Sequence, residues 1–205
     1  MTSIESVTLD AADPAAAGHF YKTAFGLGDE LRVRAGEAAS TGFRGFTLSL
    51  TAAQPGNVNA LINAALDAGA TAVKPAAKSF WGYGGVVRAP DGALWKIATS
   101  AKKDKEPVTR EIEQFVLLLG VDDVIATKKF YVEHGLTVGK SFGRKYVEFV
   151  TPPSGPVKLA LYGRRALAKD AGVSYEGTGS HRLTIDSDAE PFTDLDGFAW
   201  QTASR

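Results

Sequence analysis

Apolar and polar positions along this chain follow two periods, and the places where one gives way to the other mark its elements. Ser3 to Leu9 alternates as a strand, and Asp13-Pro14 then opens a helix, with Asp13 as N-cap and Pro14 at the first helical position. Ala17, Phe20, Tyr21, Ala24 and Phe25 form its apolar stripe, and Gly26 and Gly28 end it. Glu30–Ala35 and Phe43–Thr51 read as strands, with a small, polar loop from Gly36 to Gly42 between them. Asn57 is the expected N-cap of a second helix striped by Val58, Leu61, Ile62, Ala65 and Leu66 and closed by Gly69. After a strand from Ala72 to Ser79, the stretch Phe80–Ala98 predicts a hairpin turned by Pro90-Asp91-Gly92. In its second strand Trp95 and Ile97 face one way, and Leu94, Lys96 and Ala98 face the other.

The same grammar returns further on. Glu111–Leu119 contains the run Phe115-Val116-Leu117-Leu118-Leu119, apolar on both faces and so central in a sheet. Asp123 caps a helix through Val124, Thr127, Phe130, Tyr131 and His134. Strands are expected over Thr137–Ser141, Lys145–Thr151 and Val157–Tyr162, with Pro152-Pro153-Ser154-Gly155 turning between the last two. A short helix over Arg165–Ala171 and strands over Ser180–Ile185 and Phe198–Ala203 complete the chain.

These elements repeat. Asp13, Phe20-Tyr21 and Gly26-Leu27 return 110 residues later as Asp123, Phe130-Tyr131 and Gly135-Leu136. Asp91-Gly92-Ala93-Leu94-Trp95 returns 105 residues later as Asp196-Gly197-Phe198-Ala199-Trp200. Between them the step is 137, from Gly42-Phe43-Arg44-Gly45-Phe46 to Gly179-Ser180-His181-Arg182-Leu183. The second half has gained a region around Tyr146–Gly172 and lost the helix found between 57 and 69 in the first. We divide the chain into a domain over 1–101, a charged, Pro-ended linker over 102–109, and a second domain over 110–205 whose second module lacks its helix.

Composition narrows the function classes. With 23 basic and 23 acidic residues the formal charge is zero, so neither nucleic acid nor an anionic membrane is an expected partner. Absence of Cys excludes disulfides, thiolate metal sites and a Cys nucleophile. No apolar run reaches membrane-spanning length, and Met1 to Glu5 lacks a basic start and apolar run, so a cytoplasmic protein without a signal peptide is expected.

The order of these motifs resembles the vicinal oxygen chelate superfamily, which holds glyoxalase I, extradiol dioxygenases and bleomycin-resistance proteins. The resemblance rests on both Asp-capped starts, on Gly42-Phe43-Arg44-Gly45-Phe46-Thr47-Leu48, on Asp67–Pro75, on Phe80-Trp81-Gly82-Tyr83 with Ala89–Trp95, and on Leu159–Tyr162 with Ala166–Gly172. It implies an α+β fold of tandem βαβββ modules, each half partly truncated, whose modules pair into half-open barrels enclosing a site. It also implies metal ligands on the first and last strands of modules, and these fall on Ser6, Val116, Lys96 and Gln201, with Gly45 and Arg182 as the inner-module starts. Two of these six are cations and two lack a donor atom, whereas a divalent ion needs carboxylate or imidazole donors. A Lys ammonium about 4 Å from a divalent ion is repelled by about 8 kcal/mol even at an effective dielectric constant near 20.

Of the three histidines, His19 sits mid-helix and His134 at a helix C-terminus, where an imidazolium suits the dipole. His181 starts a strand beside Arg182 and is the one expected near a cavity. The favoured reading is a metal-independent small-molecule-binding protein without cofactor, which leans away from catalysis but leaves the enzyme question open, sequestering an aromatic or anionic compound as a monomeric pseudo-dimer or a homodimer. Its expected contacts are Lys96, Trp81, Tyr83, Ser6, Gln201, His181 and Arg182. The alternatives are a metal-dependent glyoxalase- or dioxygenase-type enzyme with a relocated site, and a non-catalytic scaffold.

Overall fold

The structure is a computed structural model that describes residues 2–153 and 155–203; Ser154 of the expected Pro152–Gly155 turn lies outside them. The chain opens with β1 (Ile4–Ala11), α1 (Pro14–Phe25), β2 (Leu31–Ala35) and the short β3 (Ser40–Gly42). A complete βαβββ module follows: β4 (Phe46–Thr51), α2 (Pro55–Asp67), β5 (Thr71–Ser79), β6 (Gly82–Arg88) and β7 (Leu94–Thr99). A second complete module comprises β8 (Gln114–Val121), α3 (Val124–Glu133), β9 (Val138–Ser141), β10 (Tyr146–Phe149) and β11 (Val157–Gly163). Then come α4 (Arg164–Ala171), β12 (Gly177–Gly179), and a helix-less remnant of β13 (Leu183–Ser187), β14 (Phe192–Thr193) and β15 (Ala199–Thr202).

The local signals act as their chemistry requires. Asp13 Oδ1 accepts from Ala16 N, Gly26 closes α1 at φ 68°, and the whole Ala17–Phe25 stripe is buried. Asp123 accepts from the Ile125 and Ala126 amides at the start of α3. The expectation for α2 needs correction. This helix starts at Pro55, and Asn57, inside its first turn, instead binds Thr109 through both ends of its amide. Gln54 just before the helix holds the backbone of Lys105 and Glu106, so the charged connector is tied down to the start of α2. Residues 40–42, expected as loop, pair antiparallel with β12.

The two complete modules lie side by side in one eight-stranded sheet, ordered β5-β6-β7-β4-β8-β11-β10-β9 and joined where β4 runs antiparallel to β8. The two reduced modules form the other sheet, β14-β15-β13-β1-β2, so each sheet draws strands from both sides of the connector. Ser6 pairs with Asp186 in the smaller sheet, as Val116 pairs with Ser49 in the larger. Helices α1, α2 and α3 share one apolar core with both sheets. Trp95 packs there against Tyr21, Phe25 and Phe115, and Trp200 against Tyr131 and Phe192. A smaller apolar cluster gathers Leu167, Ala168 and Ala171 of α4 with Phe43, Val86 and Leu94. Because Leu94 and Lys96 share the strand face opposite Trp95, α4 lies over the side of the large sheet turned away from the main core. No helix among the described residues is long and apolar enough to cross a membrane.

Candidate functional site

On that outer face, four neighbouring strands place Lys96 (β7), Ser49 (β4), Val116 (β8) and Lys158 (β11) in one row. One step on in register, Thr47, Leu118, Ala160 and Glu148 form a second row, and Tyr162 pairs with Tyr146 beyond it. Alternation in the strands decides which side chains reach this surface, and α4 roofs it with Leu167 and Asp170. The hollow beneath has a volume of about 250 Å³ and is also lined by Thr51, Gln114 and Leu118. A neighbouring hollow of about 280 Å³ runs under the β5–β6 hairpin, past Lys74, Trp81, Tyr83, Gly84 and Gly85. Lys96 and Asp170 line both, and their 2.5 Å ion pair stands between the two.

The charges on this floor are balanced locally. Lys158 Nζ donates to Glu148 Oε1 at 2.8 Å, and Tyr146 donates to Glu148 Oε2 at 3.0 Å. Burial works against the Glu148 carboxylate, but the hydrogen bonds from Lys158 and Tyr146 and the charges of Lys158 and Lys140 outweigh it and hold it below its usual range. Burial, and then the Glu148 charge, push the Tyr146 phenol well above its ordinary value, and burial followed by Asp170 raises Tyr162. Both phenols therefore stay protonated and can donate hydrogen bonds. The hollow thus offers donors, a carboxylate acceptor and aromatic edges, with no net surplus of either charge.

The smaller sheet presents a different arrangement. Asp186 on β13 is 1% exposed. Its Oδ2 accepts from Ser6 at 2.8 Å and Thr8 at 2.7 Å, and its Oδ1 accepts from Gln201 at 2.5 Å. Three neutral donors from β1 and β15 therefore converge on one carboxylate.

Several expected site residues lie outside the 250 Å³ cup. Arg182 and Gly45 precede their strands in left-handed backbone, at φ 52° and 86°. The positions facing Ser6 and Val116 are four residues further on, at Asp186 and Ser49. Arg182 instead donates to the Ala38 carbonyl. His181 stacks on Phe198 and reaches the carbonyls of Arg44 and Asp196 with its two ring nitrogens, which fastens the turn before β4 to the turn before β15. Trp81, 82% exposed beside an equally bare Phe80, lines the neighbouring 280 Å³ hollow rather than the cup. Tyr83 donates to Asn59. Ser6 and Gln201 do meet, through Asp186, and Lys96 and Val116 share the larger cup with Ser49 between them. Sequence reasoning missed Asp186, Ser49 and Lys158 as floor residues. The alternation Thr47-Ser49-Thr51 in β4 and Thr184-Asp186 in β13, polar at every second position of otherwise apolar strands, is the signal that marks the first two.

A divalent ion does not fit either donor set. In the larger cup the row holds two ammonium groups, a hydroxyl and a Val side chain, and the two carboxylates beside it, Asp170 and Glu148, are each already paired with one of those ammonium groups. In the smaller, the single carboxylate is already engaged by three donors, two of them hydroxyls. Among the described residues no three His, Asp or Glu side chains lie close enough to share an ion.

Among solved structures, glyoxalase I from Zea mays is similar with a TM-score of 0.63 at 13% sequence identity, covering 98% of this chain and 91% of that one. A putative dioxygenase from Bacillus subtilis is similar with a TM-score of 0.53 at 12% identity, covering 90% of this chain and 69% of that one. No protein-family profile and no curated protein matches the sequence. At these identities the likeness establishes the fold.

Proposed function

We propose that this chain, which has the glyoxalase fold of the vicinal oxygen chelate superfamily, uses the cup of its eight-stranded sheet to bind a small organic molecule without a metal ion. The observation that carries this reading is the floor row Lys96, Ser49, Val116 and Lys158, where four adjacent strands supply two cations and no acid. The ligand is a flat, polar-substituted compound. Tyr146 and Tyr162 supply aromatic edges and phenol donors at one end, and Gln114, Ser49 and Thr51 supply neutral hydrogen-bonding groups along the floor. Lys96 and Lys158 are each paired with a carboxylate, so a simple anion must compete with Asp170 and Glu148; this favours neutral or zwitterionic guests over anions. Because each sheet already combines strands from both sides of the connector, so that the modules pair within one chain, we take the working unit to be a monomer.

A melting-temperature screen of chelator-treated protein against polar aromatic compounds tests the reading. A compound present at a hundred times its dissociation constant adds about 2.7 kcal/mol of stability. Hits that lose their effect in Lys158→Met support the cup. A library without hits, or stabilisation that requires a divalent cation, removes the proposal.

A further inference from the structure

At the far end of β4 from the Thr51 side of the cup lies another hollow, of about 180 Å³, between the turn before β4, the β6–β7 hairpin and the connection from α4 to β12. Its floor is apolar: Phe43, Phe46, Ala93 and Leu94 are all buried. Over this floor stand two guanidinium groups, Arg44 from the turn and Arg88 from the end of β6. Arg88 pairs in register with Leu94, which puts it on the same side of the sheet as that floor residue.

Among the described residues neither guanidinium group makes an ion pair. Arg44 donates to the Asp91 backbone carbonyl at 2.7 Å. The Asp91 carboxylate is engaged elsewhere, by the Tyr21 hydroxyl at 2.6 Å and the Ala93 amide at 3.0 Å. Among the described residues, no carboxylate oxygen lies within 4.0 Å of either Arg44 or Arg88. Glu176, exposed at the mouth, is the one acid in the lining. Burial is the largest influence and lowers the proton affinity of Arg44; Asp91 and Tyr21 pull against it, and the charges of Arg182 and Arg88 add to it. Like charges have thus been gathered around an apolar hollow in a chain with no net charge to spare.

We propose that this hollow is a second binding site, for a small carboxylate with a compact flat apolar body, its carboxylate held by Arg44 and Arg88 and its body on Phe43, Phe46 and Leu94. Arginine suits this role because its planar fork meets a carboxylate with two parallel hydrogen bonds. Size sets the body: an apolar cavity of about 150 Å³ accommodates a benzene ring. The site is separate from the cup of the preceding proposal, and no lining residue of the 250 Å³ hollow belongs to it.

Calorimetric titration of the intact chain with benzoate and with benzamide, its neutral counterpart, tests the assignment. Charge-assisted hydrogen bonds worth about 1.5–3 kcal/mol predict that benzoate binds at least about tenfold more tightly than benzamide. Arg88 is exposed and outside the core, so Arg88→Gln is expected to fold as the parent does, which its melting curve checks. It should weaken benzoate about tenfold, and Arg88→Lys, which keeps charge but not the fork, should fall between. Equal binding of benzoate and benzamide, unchanged affinity in Arg88→Gln, or no saturable benzoate binding in the millimolar range each overturns the proposal.

Discussion

Replacing Asp186 by Ala is the sharpest structural perturbation available, because it removes the acceptor on which three donors from the two neighbouring strands converge. The carboxylate is 1% exposed and takes hydrogen bonds from Ser6, Thr8 and Gln201. Hydrogen bonds to a charged group contribute about 1.5–3 kcal/mol each, so three of them set a gross loss of roughly 5 kcal/mol at the lower bound. Relief of carboxylate desolvation and rotation of the two freed hydroxyls return part of it, leaving a net cost of about 3 kcal/mol. In a chain of this size, 1 kcal/mol moves the melting point by about 2–4 °C, so Asp186→Ala should melt about 6–12 °C below the parent. Asp186→Asn keeps the shape and one acceptor, and the hydroxyls of Ser6 and Thr8 can turn to accept from its amide; its cost is about 1 kcal/mol. Urea denaturation, with the slope unchanged between variants, gives both values. An Asp186→Ala protein within about 1 kcal/mol of the parent would refute the network, and an Asp186→Asn protein as unstable as Asp186→Ala would refute the matched-acceptor argument. Adding a divalent cation should leave the parent's melting point where it was, because among the described residues no three His, Asp or Glu side chains lie close enough to share an ion.

Other positions give independent checks. Lys158→Met removes the partner that holds the Glu148 carboxyl below its ordinary range. A carboxyl lowered by folding stabilises above its unfolded value, near pH 4.3, and that contribution is lost as pH falls through the lower folded value; acid-unfolding curves of Lys158→Met should therefore be flatter below about pH 4. Leu167→Ala hollows the underside of α4, where Leu167 is buried against the Phe43 and Leu94 cluster, and should cost about 2–4 kcal/mol by urea denaturation. Gly82→Ala is expected to lose more than about 2 kcal/mol, because Gly82 has φ 141° and an added Cβ would sit 2.0 Å from the Thr99 carbonyl oxygen. Trp81→Ser at the bare hairpin tip should change stability by no more than about 0.5 kcal/mol, which separates it from the buried Trp95.

Local elements were legible in the sequence wherever side-chain chemistry acts on its own neighbours. Asp13 and Asp123 cap their helices, Pro90-Asp91-Gly92 turns the hairpin, and Lys96 faces away from the core as alternation requires. What escaped the sequence depends on partners far along the chain. An alignment anchored on Arg44-Gly45 and His181-Arg182 lands in the left-handed turns before β4 and β13, four residues short of the positions that face Val116 and Ser6. Register across a sheet is fixed by tertiary packing, and only the polar alternation inside each strand hints at it. The role of Lys96 changed for the same reason. Its neighbour Asp170 lies 74 residues away on α4, and nothing local announces that this helix folds back over the cup. The exposure of Trp81 was equally hidden, since an aromatic at a hairpin tip and one turned inward have the same sequence.

The central claim is that the cup of the eight-stranded sheet takes its ligand without a metal. Titration of chelator-treated protein with the strongest compound from the melting screen, parent beside Tyr162→Phe, tests it most directly. The account predicts one cup-bound molecule per chain, an affinity indifferent to added divalent cation, and a loss of about two- to tenfold when the Tyr162 hydroxyl is removed. Binding that appears only with the cation, or that Tyr162→Phe leaves untouched, would contradict it.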